Sequence, residues 1–469
     1  MNTKAWFERF ENKKAPKLAR VLTAFNVNVD AVALGLDQAN KVLASFSQHE
    51  IAEIERKSNS ESIGEIKSPV DFFAALLHYV KTGKAMHLHA SSGVFDWLGS
   101  VFTADETRIG GQAGIMANQL SAFNDFVITY SSLLSPLQAS FFDPKVCFPS
   151  TDGKKLTCHP AKKVARKSDA TKINWIFEFK AGEKLKAKTE FPSPRSNRLI
   201  VSSPAYYAPV FENVDVKQLA KNVGIALLSG FQQLHSDKNL NPALKKISLQ
   251  IQELKKANNA IAVHWEFVPM EDKKAEKQVL LSVGKAVDSL GLNEVEIVDV
   301  LKTLGAKKEA DRISKMENAY SLYLGAKKLL EVLNLDRVHL HSFGFQILVL
   351  KNPYAVSVEK ARDALIFSSI VASLKALKGS AFVSKKEFES HSLVPSETGF
   401  NQIRALEGGI DEERVKRHSS FDRRALLESG IFDLKDHYVI ITPSPIVHPK
   451  STVGLGDVIS AMALAAERG

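Results

Sequence analysis

Apolar and polar positions change rhythm along the chain, and that change divides it. After residue 204, short apolar runs at 224–230, 260–267, 337–342 and 345–350 read as strands. Segments 241–257, 274–290, 319–333 and 358–377 repeat apolar residues at helical spacing. The first of these opens with Asn241 as a candidate N-cap and Pro242 at the first helical position. Such alternation predicts a doubly wound, mostly parallel sheet with helices on both faces.

The first 200 residues are patterned differently. Residues 21–25 read as a strand running into Asn26-Val27-Asn28-Val29-Asp30. Residues 34–98 are mostly helical in pattern, most clearly at 70–79, whereas 87–94 read as extended or irregular. Short β-like runs follow at 126–130, 173–179 and 198–201, and 173–179 alternates as a half-exposed strand does. This strand-rich, basic section reads as part of a separate, smaller domain. No internal repeat or low-complexity segment interrupts the pattern.

Composition adds bounds. At 469 residues the chain exceeds one ordinary core, and 45% hydrophobic with 24% charged residues describes a soluble globular protein. No apolar stretch is long enough to span a bilayer, and residues 1–20 are charged throughout, without a signal-peptide apolar segment. Cys147 and Cys158 are too few for a disulfide framework and do not have metal-site spacing, so a cytoplasmic location is the default. The net charge of +10 gathers locally between Lys154 and Arg198. Without aromatic RNA-binding signatures there, a solvated basic face ranks first, a small phosphorylated substrate second and nucleic acid third.

The candidate chemistry centres on 449–457, between an apolar run at 438–442 and a helix-forming run at 458–466. Gly454 and Gly456 let the backbone bring its N–H groups close to an anion, with the positive end of a helix behind them. A carboxylate beside a bound phosphate repels it unless it has a task. For Asp457 the task is to accept a proton from an attacking hydroxyl, and the plainer alternative is a helix cap. Asn28 and Asp30 share one face of an extended segment, where they either grip sugar hydroxyls or cap a turn. Gly110-Gly111-Gln112 opens a small-residue helix that another group can approach closely. Glu266 and Glu296 fall near strand ends and suit magnesium, which is commonly held by one or two carboxylates plus phosphate oxygens. No Walker-type phosphate loop is present.

Taken in order, Asn26 to Asp30, Arg108 to Asn118, His264-x-Glu266, Asn293-x-x-Glu296, His339-x-His341-Ser342-Phe343-Gly344 and Ser451 to Asp457 resemble the motifs of the archaeal ADP-dependent sugar kinases. The resemblance spans nearly the whole chain. It implies a ribokinase-like fold, with a large α/β domain (1–28, 109–142 and 201–469) and a smaller α/β lid (29–108 and 143–200). It also implies transfer of a phosphoryl group from ADP to a sugar or sugar phosphate. The partners are then small molecules, with no nucleic acid or membrane, in a monomer or small homo-oligomer.

By position, the resemblance makes Asp457 the catalytic base, the Gly454 and Gly456 amides the anion hole, and Arg198 the holder of nucleotide phosphates. Glu266 and Glu296 organise magnesium, and Asn28, Asp30, Gly111 and Gln112 form the sugar site. His341, Gly344, Val394, Val447, Lys450 and Thr452 wall the nucleotide pocket. Glucose-using members carry a glutamate where this chain has His87, and a histidine where it has Asn174. With Arg166, Lys167, Lys172 and Arg195 nearby in sequence, that difference favours fructose 6-phosphate. The rivals are a glucokinase or an enzyme with both activities, and a non-catalytic, basic nucleic-acid-binding protein on a kinase-like fold.

Overall fold

The computed structural model describes the chain apart from residues 1–2, 12–13, 61–63, 125, 153–154, 204–207, 380–381 and 417–422. Among the described residues, eleven strands form one sheet and five form a second. Seven parallel strands make the middle of the larger sheet, in the order Val146–Asp152, Val127–Tyr130, Val21–Ala24, Ile225–Leu228, Ala262–Glu266, Ser289–Leu292 and Arg337–Ser342. Antiparallel strands close both ends: Lys155–Pro160 on one side, and Phe345–Lys351, His437–Pro443 and Ile431–Asp433 on the other. Strands such as Val21–Ala24 and Ile225–Leu228 are buried along their whole length, as expected for parallel strands covered by helices on both faces.

The second sheet has the order Met86–His89, Asn197–Ser202, Ile173–Phe179, Asn28–Leu34, Glu106–Gly110. It has its own core, in which Phe72, Phe73, Phe102 and Phe177 pack edge to face or tilted. The covering helix Pro69–Thr82 is well delimited: Ser68 accepts a hydrogen bond from Asp71 N, Pro69 opens the first turn, and Gly83 ends it at φ +61°. The chain crosses from the large sheet to the small one between Ala24 and Asn28 and returns between Gly110 and Gln112. A second excursion enters at Ile173 and leaves after Ser202.

Several expectations change. Residues 143–200 do not share one unit: Val146–Asp152 and Lys155–Pro160 pair onto the large sheet, and only the strands from Ile173 onward join the small one. Apolar Val146 and Phe148 pack into the large core, which local basic charge does not reveal. Cys147 and Cys158 are disulfide-bonded across that hairpin, with Cα atoms 5.4 Å apart. The expected helix 274–290 is a helix Lys273–Ser282 followed by the strand Ser289–Leu292, whose buried leucines mimic a continuing helical stripe. Asn241 is not the cap of its helix, which begins at Leu240 after Asn239. Residues 87–94 divide into the strand Met86–His89 and a helix that starts at Ser92. No helix among the described residues is long and apolar enough to cross a membrane.

Candidate active site

The two sheets face each other across a cleft of about 790 Å³. Part of its large-sheet wall, including Asn26, Glu266, Asn293 and His341, lies at or just after the C-terminal ends of parallel strands, where open α/β sheets usually take their ligands. Its other wall comes from Asn28, Asp30, His87, Asn174 and Arg198 of the small sheet.

Asp457 sits in the first turn of the helix Leu455–Glu467, whose N-cap is Gly454 at φ +67°. A side chain at Gly454 would press on Ile115, and one at Gly456 would lie 2.6 Å from His341 Cε1. Both glycines are therefore needed for the loop to pass between its neighbours. Burial pushes the Asp457 carboxyl up to about 7, and the nearby Glu266 charge adds to this.

Behind Asp457 lies a paired set of acids and imidazoles. Glu266, the last residue of the strand Ala262–Glu266, has His341 Nε2 at 2.9 Å from Oε1 and His264 Nε2 at 3.1 Å from Oε2. Burial opposes ionisation, yet the hydrogen bonds from His264 and His341 hold Glu266 well below the usual carboxylate range. Against the same burial, the hydrogen bond and charge of Glu266 raise His341 to about 9. Glu296 is pushed up to about 8 by burial, with the Glu266 and Asp457 charges adding to it.

The Asn-x-x-Glu spacing has a local structural cause. Asn293 Oδ1 accepts from the N–H groups of Val295 and Glu296, and Glu296 Oε2 accepts from Asn293 N at 2.8 Å, a capping box. The same box delivers Glu296 to the cleft wall.

On the small-sheet wall, Asn28 Nδ2 donates to Asp30 Oδ1 at 2.6 Å. Gly110 pairs with Asn28 in register, and a Cβ there would overlap the Asn28 and Asp30 side chains. Asn28 Oδ1 and Gln112 Oε1 are buried acceptors with no protein partner, an arrangement suited to ligand hydroxyls. Ser202 links His87 to Asn174, donating to Asn174 Oδ1 at 2.8 Å while its Oγ also contacts His87 Nε2. Burial lowers His87 to about 3, so the ring is neutral. Sequence reading missed Ser202, although it lies two and four residues beyond Ile200 and Arg198 on one face of the same strand.

Other candidate residues stand elsewhere. Arg166 Nε donates to Asp169 Oδ1 at 2.9 Å, and Arg166 Nη2 to Ser132 O at 2.6 Å, so it ties down a turn. Arg195 Nε donates to Gly83 O at 2.7 Å, and Lys167 is exposed; neither lines the cleft. Sequence proximity to Arg198 misleads for Arg195, whose guanidinium turns to the Gly83 carbonyl instead of the cleft. Lys172 is buried, with Nζ 3.2 Å from Asn26 Oδ1; burial lowers it to about 7, opposed by the Asp30 charge. Val394 is 58% exposed and lies outside the cleft lining. Gly344, Val447 and Thr452 line the cleft, and Lys450 lines an adjoining hollow of about 740 Å³. His341 lines it too, as an ion-pair partner of Glu266 more than as a plain wall.

A poised carboxyl at a helix N-terminus, facing orphaned hydroxyl acceptors and an arginine from the opposite wall, defines a phosphotransferase of the α/β sugar-kinase class. The model for the conserved region of ADP-specific phosphofructokinases and glucokinases matches residues 19–466. The chain belongs to that family, and it is an ADP-dependent sugar kinase. An ADP-specific phosphofructokinase of Pyrococcus furiosus is 31% identical, over 94% of this chain and 95% of its own. One from Methanosarcina acetivorans is also 31% identical, over 99% and 98%. A solved complex of an ADP-dependent kinase with fructose 6-phosphate and ADPβS is 31% identical, covers 100% of this chain and 99% of its own, and superposes with a TM-score of 0.83.

Proposed function

We propose that the chain transfers the β-phosphate of ADP to the 1-hydroxyl of fructose 6-phosphate, giving fructose 1,6-bisphosphate and AMP. The observation that carries this reading is Asp457, a carboxyl tuned near neutrality at the mouth of a helix N-terminus, in a cleft whose far wall supplies Arg198.

Asn28 Oδ1 and Gln112 Oε1 accept from sugar hydroxyls and orient the ring, beside Asp30 and Gly111. Asp457 takes the proton from the attacking hydroxyl. The backbone N–H groups at Gly454 and Gly456, with the helix behind them, hold the transferring phosphoryl oxygens. Arg198 is a permanently charged, forked donor for the nucleotide phosphates, which His341, Gly344, Val447 and Thr452 flank. The small-sheet unit serves as a lid that excludes water during transfer.

Two carboxyls, Glu266 and Glu296, converge near the phosphate site, and no group of three or more metal-ligating side chains occurs among the described residues. That donor set fits magnesium, which takes few protein ligands and keeps its waters. Glu266 and Glu296 would hold the ion, directly or through water, and the ion would neutralise charge on the nucleotide phosphates.

A phosphorylated sugar is favoured because neutral His87, tied through Ser202 to Asn174, stands where glucose-using members have a glutamate that would repel phosphate. Lys172 is buried nearby, bonded to Asn26, and an anion bound at that end would favour its charged form. The enzyme acts on small molecules in the cytoplasm. A coupled assay with ADP or ATP, each with fructose 6-phosphate or glucose, tests the reading. Turnover highest with ADP and fructose 6-phosphate supports it, and a glucose rate equal or higher rejects the choice of sugar.

A further inference from the structure

The polar groups at the cleft do not stop at Glu266. A file of buried side chains continues from it across the large sheet. His264 Nε2 lies 3.1 Å from Glu266 Oε2, and His264 Nδ1 lies 2.8 Å from Ser289 Oγ. Arg337 donates from Nη1 to Ser289 Oγ and from Nε to Glu467 Oε2, each at 3.1 Å. Tyr354 Oη donates to Glu467 Oε1 at 2.5 Å. His264, Ser289 and Arg337 are register partners on three neighbouring parallel strands, so their side chains share one face. All three are at most 1% exposed, and Glu467 is fully buried.

A buried ion pair such as Arg337–Glu467 is weak evidence for stability, because apolar replacements of the same shape are often as stable. What the file does provide is direction. A guanidinium can only donate, so Ser289 Oγ accepts from Arg337 and has its own O–H left for His264 Nδ1. With Nδ1 accepting, the neutral imidazole carries its proton on Nε2 and donates it to Glu266. A Cβ at Gly291 would overlap Glu266 Oε2 and lie 3.0 Å from His264 Cε1, so the backbone leaves this pair no slack.

We propose that Arg337 and Ser289 are positioning residues for Glu266: they lock His264 in its Nε2–H tautomer and thereby fix the carboxylate that serves the phosphate end of the cleft. The proposal rests on the reading of Glu266 as a holder of the metal ion. Without the Ser289 hydroxyl, Nδ1 loses its donor and the ring its anchor on that side. The ring then shifts against Glu266, and the carboxylate loses its orientation.

Two measurements test this. A long-range ¹⁵N–¹H spectrum of the intact protein, with His264 assigned by comparison with His264→Gln, reports the tautomer directly. The expected result is a neutral Nε2–H ring in the wild type, with the Nδ1 resonance displaced in Ser289→Ala where its donor is gone. A wild-type ring protonated on Nδ1, or on both nitrogens at pH 7.5, overturns the proposal. Calorimetric titration then compares ADP affinity with and without Mg²⁺. Ser289→Ala should cut the metal-dependent gain about tenfold, as loss of an outer partner does at metal sites, with affinity for ADP alone unchanged. Tyr354→Phe, which loosens only the far end of the file, should lower the melting temperature and leave that gain intact. A Ser289→Ala protein that behaves like Tyr354→Phe overturns the proposal. If Glu266→Gln keeps the full gain, it is the metal reading of Glu266 that fails, whatever the tautomer.

Discussion

Arg198 Nη1 lies 3.5 Å from Thr452 Oγ1, a contact that joins the small sheet to the loop preceding Gly454. The two residues are 254 positions apart in sequence, and they meet beside the phosphate end of the cleft. Arg198→Ala removes both this tie and a forked phosphate donor. Turnover should fall about 10²–10³-fold, as for loss of one preorganised donor. ADP affinity should weaken as well, and steady-state kinetics over a range of ADP concentrations would expose near-normal values if the assignment is wrong.

Asp457→Asn keeps the shape of the helix start and removes the base. The rate should drop about 10²–10⁴-fold, with the melting temperature little changed. A single-turnover experiment with saturating ADP and sugar isolates the chemical step. Retained chemistry there would return Asp457 to the role of a cap.

The same carboxyl predicts a pH dependence. Its pKa is raised to about 7, so the group is protonated below that pH and the base form is lost as the solution is acidified. In the free enzyme, kcat/KM should therefore climb with pH through about 7 and then level. A profile already flat between pH 6 and 8 would mean that another group sets the rate.

Gly291 tests the packing around Glu266. Gly291→Ala places a methyl group against Glu266 Oε2. Overpacking of this kind costs about 1–3 kcal/mol of stability. Activity should fall further than stability explains, because Glu266 must move; chemical denaturation and kinetics on one sample separate the two effects.

Arg166→Ala provides the contrasting case. Arg166 is bonded to Asp169 and Ser132 and takes no part in the cleft lining. The KM for fructose 6-phosphate should stay at the wild-type value. A large rise would restore Arg166 to the sugar site.

Local pattern went far in this chain. The helix Ala319–Leu333 and the strand Ile173–Phe179 coincide with their sequence periodicity because each has one dominant rhythm and clear ends. The strand Ser289–Leu292 was hidden: four buried residues a short turn after the helix Lys273–Ser282 carry no period of their own. The site was legible where spacing is local, as in Asn293-x-x-Glu296 and Gly454-x-Gly456-Asp457. Distance in space was not legible. Arg166 sits near Asn174 and Arg195 near Arg198 in sequence, yet both point their guanidiniums at backbone carbonyls, while Ser289 and Arg337 meet His264 only through strand register.

The two crossings near Asn28 and Gly110 carry a final implication. Asn28, Gly111 and Gln112 occupy the connecting stretches themselves, not the tips of either unit. A swinging jaw gains width at its tips and almost none at its pivot. On the proposed function, an oversized sugar would get no relief from a wider gape, and the choice of acceptor would fall to the fulcrum.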